Sequence, residues 1–252
     1  MKRLLTVITV LTLCSALSYG QLWRTKRYEV VAGLGSTQFF GDIGGFSKSE
    51  NILGFKDLSF YQTRFDISAG MRYRILQNLS ARFGLTFGMF HATDKRGSNE
   101  ARKMEAATTF FEPLLTAEYF FIKSQKENSY LFSKGKKTVF ANLIQSFDIY
   151  TFTGMGGLAY SVKGNDELVA KGMKDGGFTA VLPVGLGINM LIAPDYNLGL
   201  EIGGRYSFSD YLEGYTSQYS RSNDVYYFFN VTFTYKLRTG RNGLPAFLSG
   251  RR

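Results

Sequence analysis

Apolar and polar residues alternate along most of this chain, and the period of two is clearest between Arg64 and His91. Two alternating runs, separated by the turn 76–78, each place apolar side chains on one face and charged or small side chains on the other. Successive side chains of a strand point to opposite faces, so the pattern predicts a β-hairpin. Each run is roughly a dozen residues long, against about 5–6 in an ordinary strand and about 9–11 in a strand that crosses a membrane.

Eight such runs follow one another, and they predict an all-β fold: an eight-stranded antiparallel up-and-down transmembrane β-barrel of OmpA-like size. A soluble β-sandwich is the alternative. The predicted strands are 28–38, 64–75, 79–91, 109–121, 147–162, 178–192, 197–209 and 225–238. On the fifth strand, the side chains expected to face lipid are Tyr150, Phe152, Leu158 and Tyr160.

The first residues of the chain have the pattern of an export signal. Two basic residues precede an apolar run and the small-residue cleavage site Ser18-Tyr19-Gly20. We therefore expect residues 1–20 to be a signal peptide and residues 21–252 to form the barrel domain. No later stretch has the roughly 18 consecutive apolar residues of a helical membrane span. Together with the barrel pattern, this predicts a protein of the outer membrane, in contact with its lipid.

The connections between the predicted strands fall into two sets. Long outer loops and short periplasmic turns are typical of outer-membrane barrels. The long polar connections 39–63, 92–107, 163–177 and 210–224 are therefore predicted to lie outside the cell. The short turns 76–78 and 193–196 belong to the periplasmic side. One long connection, 122–146, also falls on that side, as does the C-terminal tail 239–252.

The segment 122–146 and the tail 239–252 are together predicted to dock a periplasmic subunit. Basic residues strongly outnumber acidic ones on the periplasmic side, whereas the outer loops are nearly balanced. Basic residues steer an acidic partner towards a surface, and apolar groups anchor it there. The candidate partner-binding residues are Lys123, Lys126, Lys134, Lys136, Lys137, Phe140, Arg251 and Arg252.

The interior of an eight-stranded barrel has room only for side chains or one small ligand. The inward positions carry nearly equal numbers of basic and acidic residues. Unpaired buried charges are costly, so we predict that these charges pair across the lumen and leave no conducting pore. The predicted charge network consists of Arg64, Arg72, Arg74, Arg82, Glu112, Glu118, Glu201 and Arg205.

Residues suited to catalysis are sparse. The single histidine, His91, lies at the outer end of the third run near Asp94; it is a possible general base, although a structural residue at the rim is the simpler interpretation. The sole cysteine falls within the predicted signal peptide. With one histidine and no other cysteine, the chain can build a metal site only from carboxylates. We expect no enzymatic activity, no cofactor, no metal and no binding to nucleic acid.

Three short motifs lie at the outer ends of the predicted strands. They are Phe39-Phe40-Gly41-Asp42-Ile43-Gly44-Gly45, Gly203-Gly204-Arg205-Tyr206 with Asp210-Tyr211-Leu212, and Ser222-Asn223-Asp224-Val225-Tyr226. In these motifs the chain resembles the PorG-like family of outer-membrane barrels associated with type IX secretion. The resemblance implies a structural, non-enzymatic barrel that contacts a periplasmic ring of lipoprotein and partner subunits. The family also contains barrels of unknown role.

Three classes of function follow from the sequence. The first is a type IX secretion-associated component that anchors periplasmic subunits, such as secretion-ring proteins. The second is a general small outer-membrane barrel or surface adhesin of OmpA type without a secretion role. The third is an enzyme with its site at the barrel rim, which the sparse chemistry disfavours.

Overall fold

Eight antiparallel strands close into one barrel, in which each strand pairs with its neighbours in sequence and the last pairs with the first. This computed structural model describes residues 22–44, 60–95, 99–123, 147–217, 223–240 and 242–248. The strands are β1 (Tyr28–Phe40), β2 (Arg64–Arg74), β3 (Leu79–Thr93), β4 (Glu105–Ile122), β5 (Phe147–Gly164), β6 (Gly176–Ala193), β7 (Tyr196–Ser207) and β8 (Val225–Leu237). The predicted fold class is confirmed.

The outer surface of the barrel is a belt of large apolar side chains. On β6, Phe178, Val184 and Leu186 are 52–74 % exposed, and the other strands present similar residues, with Met155 on β5. Closure of the sheet pairs the backbone groups of every strand on both sides, which a hydrocarbon environment requires. An apolar belt on a closed barrel is the architecture of an outer-membrane protein, and the expected location in the outer membrane is confirmed.

Aromatic side chains concentrate at the two edges of this belt. At the periplasmic edge, the rings of Tyr28 and Tyr73 lie 5.0 Å apart between centroids, and those of Tyr196 and Tyr235 lie 5.1 Å apart. At the outer edge, Tyr206 and Phe208 make a similar pair at 5.6 Å. Amphipathic rings favour the membrane–water interface, so these pairs mark its two levels. No helix among the described residues is long and apolar enough to cross a membrane.

The predicted orientation of β5 is wrong. Tyr150, Phe152, Leu158 and Tyr160 are all buried in the lumen, not exposed to lipid. The reason lies on β6, where glycines leave room for large rings inside the barrel. A Cβ at Gly187 would lie 2.2 Å from Tyr150 Cζ, and one at Gly185 would lie 2.4 Å from Phe152 Cζ.

The outer ends of β4, β5 and β6 extend further than the sequence predicts. β4 begins at Glu105 and β5 ends at Gly164, and a short helix, α1 (Asp166–Ala170), follows β5. Asn165 caps α1, because its Oδ1 accepts a hydrogen bond from the Leu168 amide at 3.1 Å. The same Oδ1 accepts from the Glu105 amide at 3.2 Å, which ties α1 to the start of β4.

Leu186→Arg should fold in much lower yield than Thr86→Arg. Leu186 faces lipid on β6, where a charge near the bilayer midplane costs about 2–4 kcal/mol. Thr86 lines an internal cavity and pairs across the sheet with Glu112. Folding in lipid vesicles, scored by the faster gel migration of unheated folded barrel, measures the difference. Equal yields for the two variants would contradict the assignment of the two faces.

Candidate functional site

A chain of alternating charges crosses the inner half of the lumen. Arg72 pairs with Glu118 and donates to Glu29 Oε2 from Nη1 at 3.0 Å. Arg82 donates to both carboxylate oxygens of Glu201, at 2.6 and 3.2 Å, and its Nε lies 2.8 Å from Glu118 Oε1. Such bidentate contacts are the strongest form of ion pair. In spatial order, the chain consists of Arg74, Glu29, Arg72, Glu118, Arg82 and Glu201.

Aromatic rings complete this network. The Tyr150 hydroxyl donates a hydrogen bond to Glu201 Oε1. The guanidinium of Arg72 lies 5.3 Å from the centroid of the Tyr150 ring and 5.8 Å from that of Phe120. A cation over an aromatic face is attracted by the ring quadrupole, so the rings help to hold the guanidinium in place. Sequence reasoning missed Tyr150 because it placed this side of β5 towards lipid.

A second group of charges lies nearer the outer end of the lumen. Arg205 Nε donates to Glu112 Oε1 at 3.1 Å, and the Tyr226 hydroxyl donates to the other oxygen of Glu112. The Arg205 guanidinium lies 4.1 Å from the centroid of the Phe228 ring. Glu112 and Arg205, both predicted as lumen charges, are therefore brought together.

Arg64 does not belong to either group. Its Nη1 donates to the Tyr61 carbonyl at 2.9 Å and to the Thr63 carbonyl at 2.8 Å. Arg64 is the first residue of β2, at the outer rim, so nearby backbone carbonyls satisfy it before it can reach a lumen carboxylate. The prediction that Arg64 joins the lumen network is corrected accordingly.

Three aromatic side chains, Phe90, Phe110 and Tyr226, fill the lumen above the charges. We call them the plug. The Phe90 and Phe110 rings stack with centroids 4.3 Å apart, and Phe90 and Tyr226 lie 4.6 Å apart. All three are buried and belong to an apolar core that continues into the outer loops. Below the plug lies a cavity of about 40 Å³, whose lining includes Arg82, Thr86, Glu201, Arg205 and Asn230.

Carboxylates join the outer loops into one folded unit above the plug, which we call the cap (41–44, 94–95, 99–104, 165–175, 208–217 and 223–224). The Glu213 carboxylate accepts hydrogen bonds from the amides of Asp42, at 2.6 Å, and Ile43, at 3.0 Å. Asp224 Oδ2 accepts from the Leu212 amide at 2.8 Å. The Glu213 contacts fix the first outer loop to the fourth, and the Asp224 contact closes the fourth loop on itself.

The other two outer loops also join the cap, the second through a carboxylate and the third through a backbone hydrogen bond. Asp94 Oδ1 accepts a hydrogen bond from the Gly44 amide at 2.9 Å and from Arg102 Nη2, also at 2.9 Å. The Lys174 amide donates to the Gly214 carbonyl at 2.9 Å. The described parts of all four outer loops are therefore connected by hydrogen bonds above the plug.

Two cap carboxyls are buried and have raised pKa values. Burial raises the pKa of Glu213 well above its usual range, and the nearby charges of Asp224 and Asp42 raise it further. Burial raises the pKa of Asp224 to about 8, with a further contribution from Asp210 and Asp42. Hydrogen bonds from backbone amides partly offset both shifts.

His91 has a different partner from the one its sequence position indicates. Its Nε2 lies 3.0 Å from Glu105 Oε1, whereas Asp94 is engaged by Arg102 and the Gly44 amide. Glu105, rather than the nearby Asp94, is therefore the carboxylate that contacts His91. In the described ranges, no group of three or more His, Cys, Asp or Glu side chains is arranged to hold a metal ion.

The structure describes one of the candidate partner-binding residues. Lys123 donates to the Gln77 carbonyl and lies 4.9 Å from the centroid of the Phe120 ring, so its head group is held at the periplasmic rim. Near it, the tail folds back, since the Thr239 amide donates to the Thr25 carbonyl at 2.7 Å. The candidates outside the described residues are Lys126, Lys134, Lys136, Lys137, Phe140, Arg251 and Arg252.

The comparisons with known proteins concern the fold alone. No protein-family model and no curated protein matches this sequence. Among solved structures, Neisserial surface protein A is 13% identical, with a TM-score of 0.46 over 83% of this chain and 96% of its own. The barrel domain of Pseudomonas aeruginosa OprF is 10% identical (TM-score 0.43, 83% and 98% covered). Ail of Yersinia pestis is also 10% identical (TM-score 0.40, 84% and 97% covered). None of them supports the PorG-like resemblance.

Arg72→Met should destabilise the barrel by about 3–5 kcal/mol, because the buried carboxylates of Glu29 and Glu118 each lose a cationic partner. The matched control is Lys26→Met, which breaks a half-exposed pair with Asp195 and should cost no more than about 1 kcal/mol. Urea-induced unfolding in lipid vesicles gives both free energies of unfolding. Similar values for the two variants would show that the lumen network contributes no more than a surface pair.

The cap should loosen as the pH rises. Glu213 and Asp224 have higher pKa values in the folded protein than when unfolded, so they bind protons more tightly in the folded cap. Their contribution to stability is fully present below the ordinary carboxyl pKa and is lost as the pH rises through about 8. Hydrogen-exchange protection of the Asp42 and Ile43 amides, corrected for intrinsic rates, should therefore be lower at about pH 9 than at about pH 5. In Glu213→Gln the dependence should flatten, and an unchanged slope in that variant would refute the assignment.

Proposed function

We propose that this protein is a small structural barrel of the outer membrane that displays its cap as a contact surface outside the cell. This is the general-barrel or adhesin function that the sequence leaves open. The observation that carries the proposal is the joining of the described parts of all four outer loops by hydrogen bonds into one unit, the cap. A barrel that served only as a membrane anchor would not need carboxylate contacts between loops far apart in sequence.

The interior of the barrel is consistent with this role. Paired charges occupy the inner half of the lumen, and the plug fills the outer half. A solute on its way through would have to break buried ion pairs, which is costly. The protein therefore acts through its surfaces, and the cap is the surface that faces the environment.

A deletion strain complemented with defined variants tests the proposal. Deletion should reduce attachment to surfaces or the integrity of the envelope, while the amount of secreted cargo stays normal. The wild-type gene should restore whichever property is lost. Glu213→Ala should insert as a folded barrel but fail to restore attachment, because it removes the acceptor that holds residues 42 and 43. The matched control, Lys171→Ala, changes an exposed cap residue and should restore attachment fully.

A component of type IX secretion that anchors periplasmic subunits is the second candidate. Two features support it. Several residues that carry the PorG-like resemblance meet in the cap, where Asp42 contacts the fourth outer loop and Leu212 and Asp224 bond to each other within that loop. The periplasmic side also carries the basic excess of the chain, including the segment 122–146.

The same deletion strain separates the two candidates. Loss of secreted cargo with normal attachment would favour the secretion role over the surface role. In that case, charge reversal at Lys134, Lys136 and Lys137 should abolish co-purification of a periplasmic subunit in a salt-sensitive way. A reversed protein that retains every periplasmic partner of the wild type would eliminate the proposed docking surface.

A further inference from the structure

The inner face of β8 carries three successive polar positions with oxygen atoms that accept no hydrogen bond from the described part of the chain. They are Thr234 Oγ1, Thr232 Oγ1 and Asn230 Oδ1, and their residues are at most 5 % exposed. The intervening residues of β8, Val231 and Phe233, face lipid. Buried polar atoms need partners, so this row requires a small hydrogen-bonding ligand inside the barrel.

Neighbouring strands supply further free oxygens beside the row. Asn197 pairs across the sheet with Thr234, and Asn189 on β6 lies beside Gly199. The Oδ1 atoms of both asparagines are buried without a partner. A Cβ at Gly199 would lie 2.3 Å from Asn189 Oδ1 and 2.5 Å from Thr232 Oγ1. The two free oxygens thus take the space that a side chain at residue 199 would fill, and they lie close enough together for one water to contact both; we call this point the notch.

The size and polarity of this notch suit a water molecule. A water lying slightly further from the backbone than a Cβ could donate one hydrogen bond to each oxygen, and buried waters typically have about three partners. A second glycine, Gly33, flanks Thr232 on β1. Ser68 Oγ lies 2.4 Å from the position that a Cβ of Gly33 would take, so polar atoms line both sides of this threonine.

The row connects two wet regions. At its inner end, the next inward residue after Thr234 is Lys236, which is partly exposed at the periplasmic mouth. At its outer end, Asn230 lines the cavity of about 40 Å³, together with Arg205. Arg205 Nη1 is also buried without a partner in the described residues. A water needs about 10–15 Å³ of such space, so the cavity holds roughly three.

We propose that a file of ordered waters runs along the inner face of β8, from the periplasmic mouth to the cavity below the plug. The barrel is then a half-channel that is hydrated from the periplasm and closed to the outside. The waters satisfy the free oxygens of Thr234, Thr232 and Asn230 and the free nitrogen of Arg205. For water the plug forms the barrier, whereas solutes and ions also meet the charge network.

Water-edited solid-state NMR of the labelled mature protein in lipid bilayers tests this directly. Magnetisation from water should reach the methyl groups of Thr232 and Thr234 several-fold faster than it reaches the methyl group of Thr153, which faces lipid on β5. Transfer to Thr232 as slow as to Thr153 would show a dry wall and overturn the proposal. Gly199→Ala should slow the transfer to Thr232, whereas Gly204→Ala, on the lipid side of the same strand, should leave it unchanged.

Opening the plug provides a second, independent readout. Vesicles that contain the Phe90→Ala/Phe110→Ala variant should shrink faster under osmotic stress than vesicles that contain the wild type. Adding Thr232→Val and Thr234→Val should reverse the gain, since these changes remove the hydroxyls and keep the side-chain size. If the opened variant is no more permeable than the wild type, or if the valines have no effect, the half-channel is wrong.

Discussion

The pairing of buried charges is the constraint on which this barrel depends. The lumen of an eight-stranded barrel is narrow, and an isolated charge there would lose its hydration without compensation. The structure meets this constraint by sharing carboxylates: Glu118 pairs with both Arg72 and Arg82, and Glu29 with both Arg72 and Arg74. The network contains charged side chains from β1, β2, β3, β4 and β7, so it also links strands that are not neighbours in the sheet.

The character of the lumen changes from its inner to its outer half. The inner half is charged, and the outer half contains the plug, which is continuous with the apolar core beneath the loops. That core gives the outer loops a surface on which to pack. The buried carboxylates of Glu213 and Asp94 then join loops to one another, and Asp224 holds the fourth loop together. The cap therefore has the construction of a small soluble domain placed on a membrane barrel.

The sequence predicts the fold well because a period of two survives wherever one face meets lipid. It fails on β5, because both faces of this strand contain small residues and the rings of Tyr150 and Phe152 fit only opposite Gly187 and Gly185 of β6. That pairing is a property of the folded sheet. The cap was unpredictable for a similar reason, since Glu213 and Asp42 are far apart in sequence. Arg64 shows a third limit: alternation gives the face of a residue, but its level along the barrel axis decides which partners it reaches.

The central claim is that the lumen transmits no solute, so that the protein works through its surfaces. Single-channel recording of the wild-type protein in planar lipid bilayers tests this claim most directly. The account predicts no stepwise ionic conductance above that of protein-free membranes, because ion pairs and the plug occupy the lumen in series. Stable conductance steps from the folded wild-type barrel would contradict it.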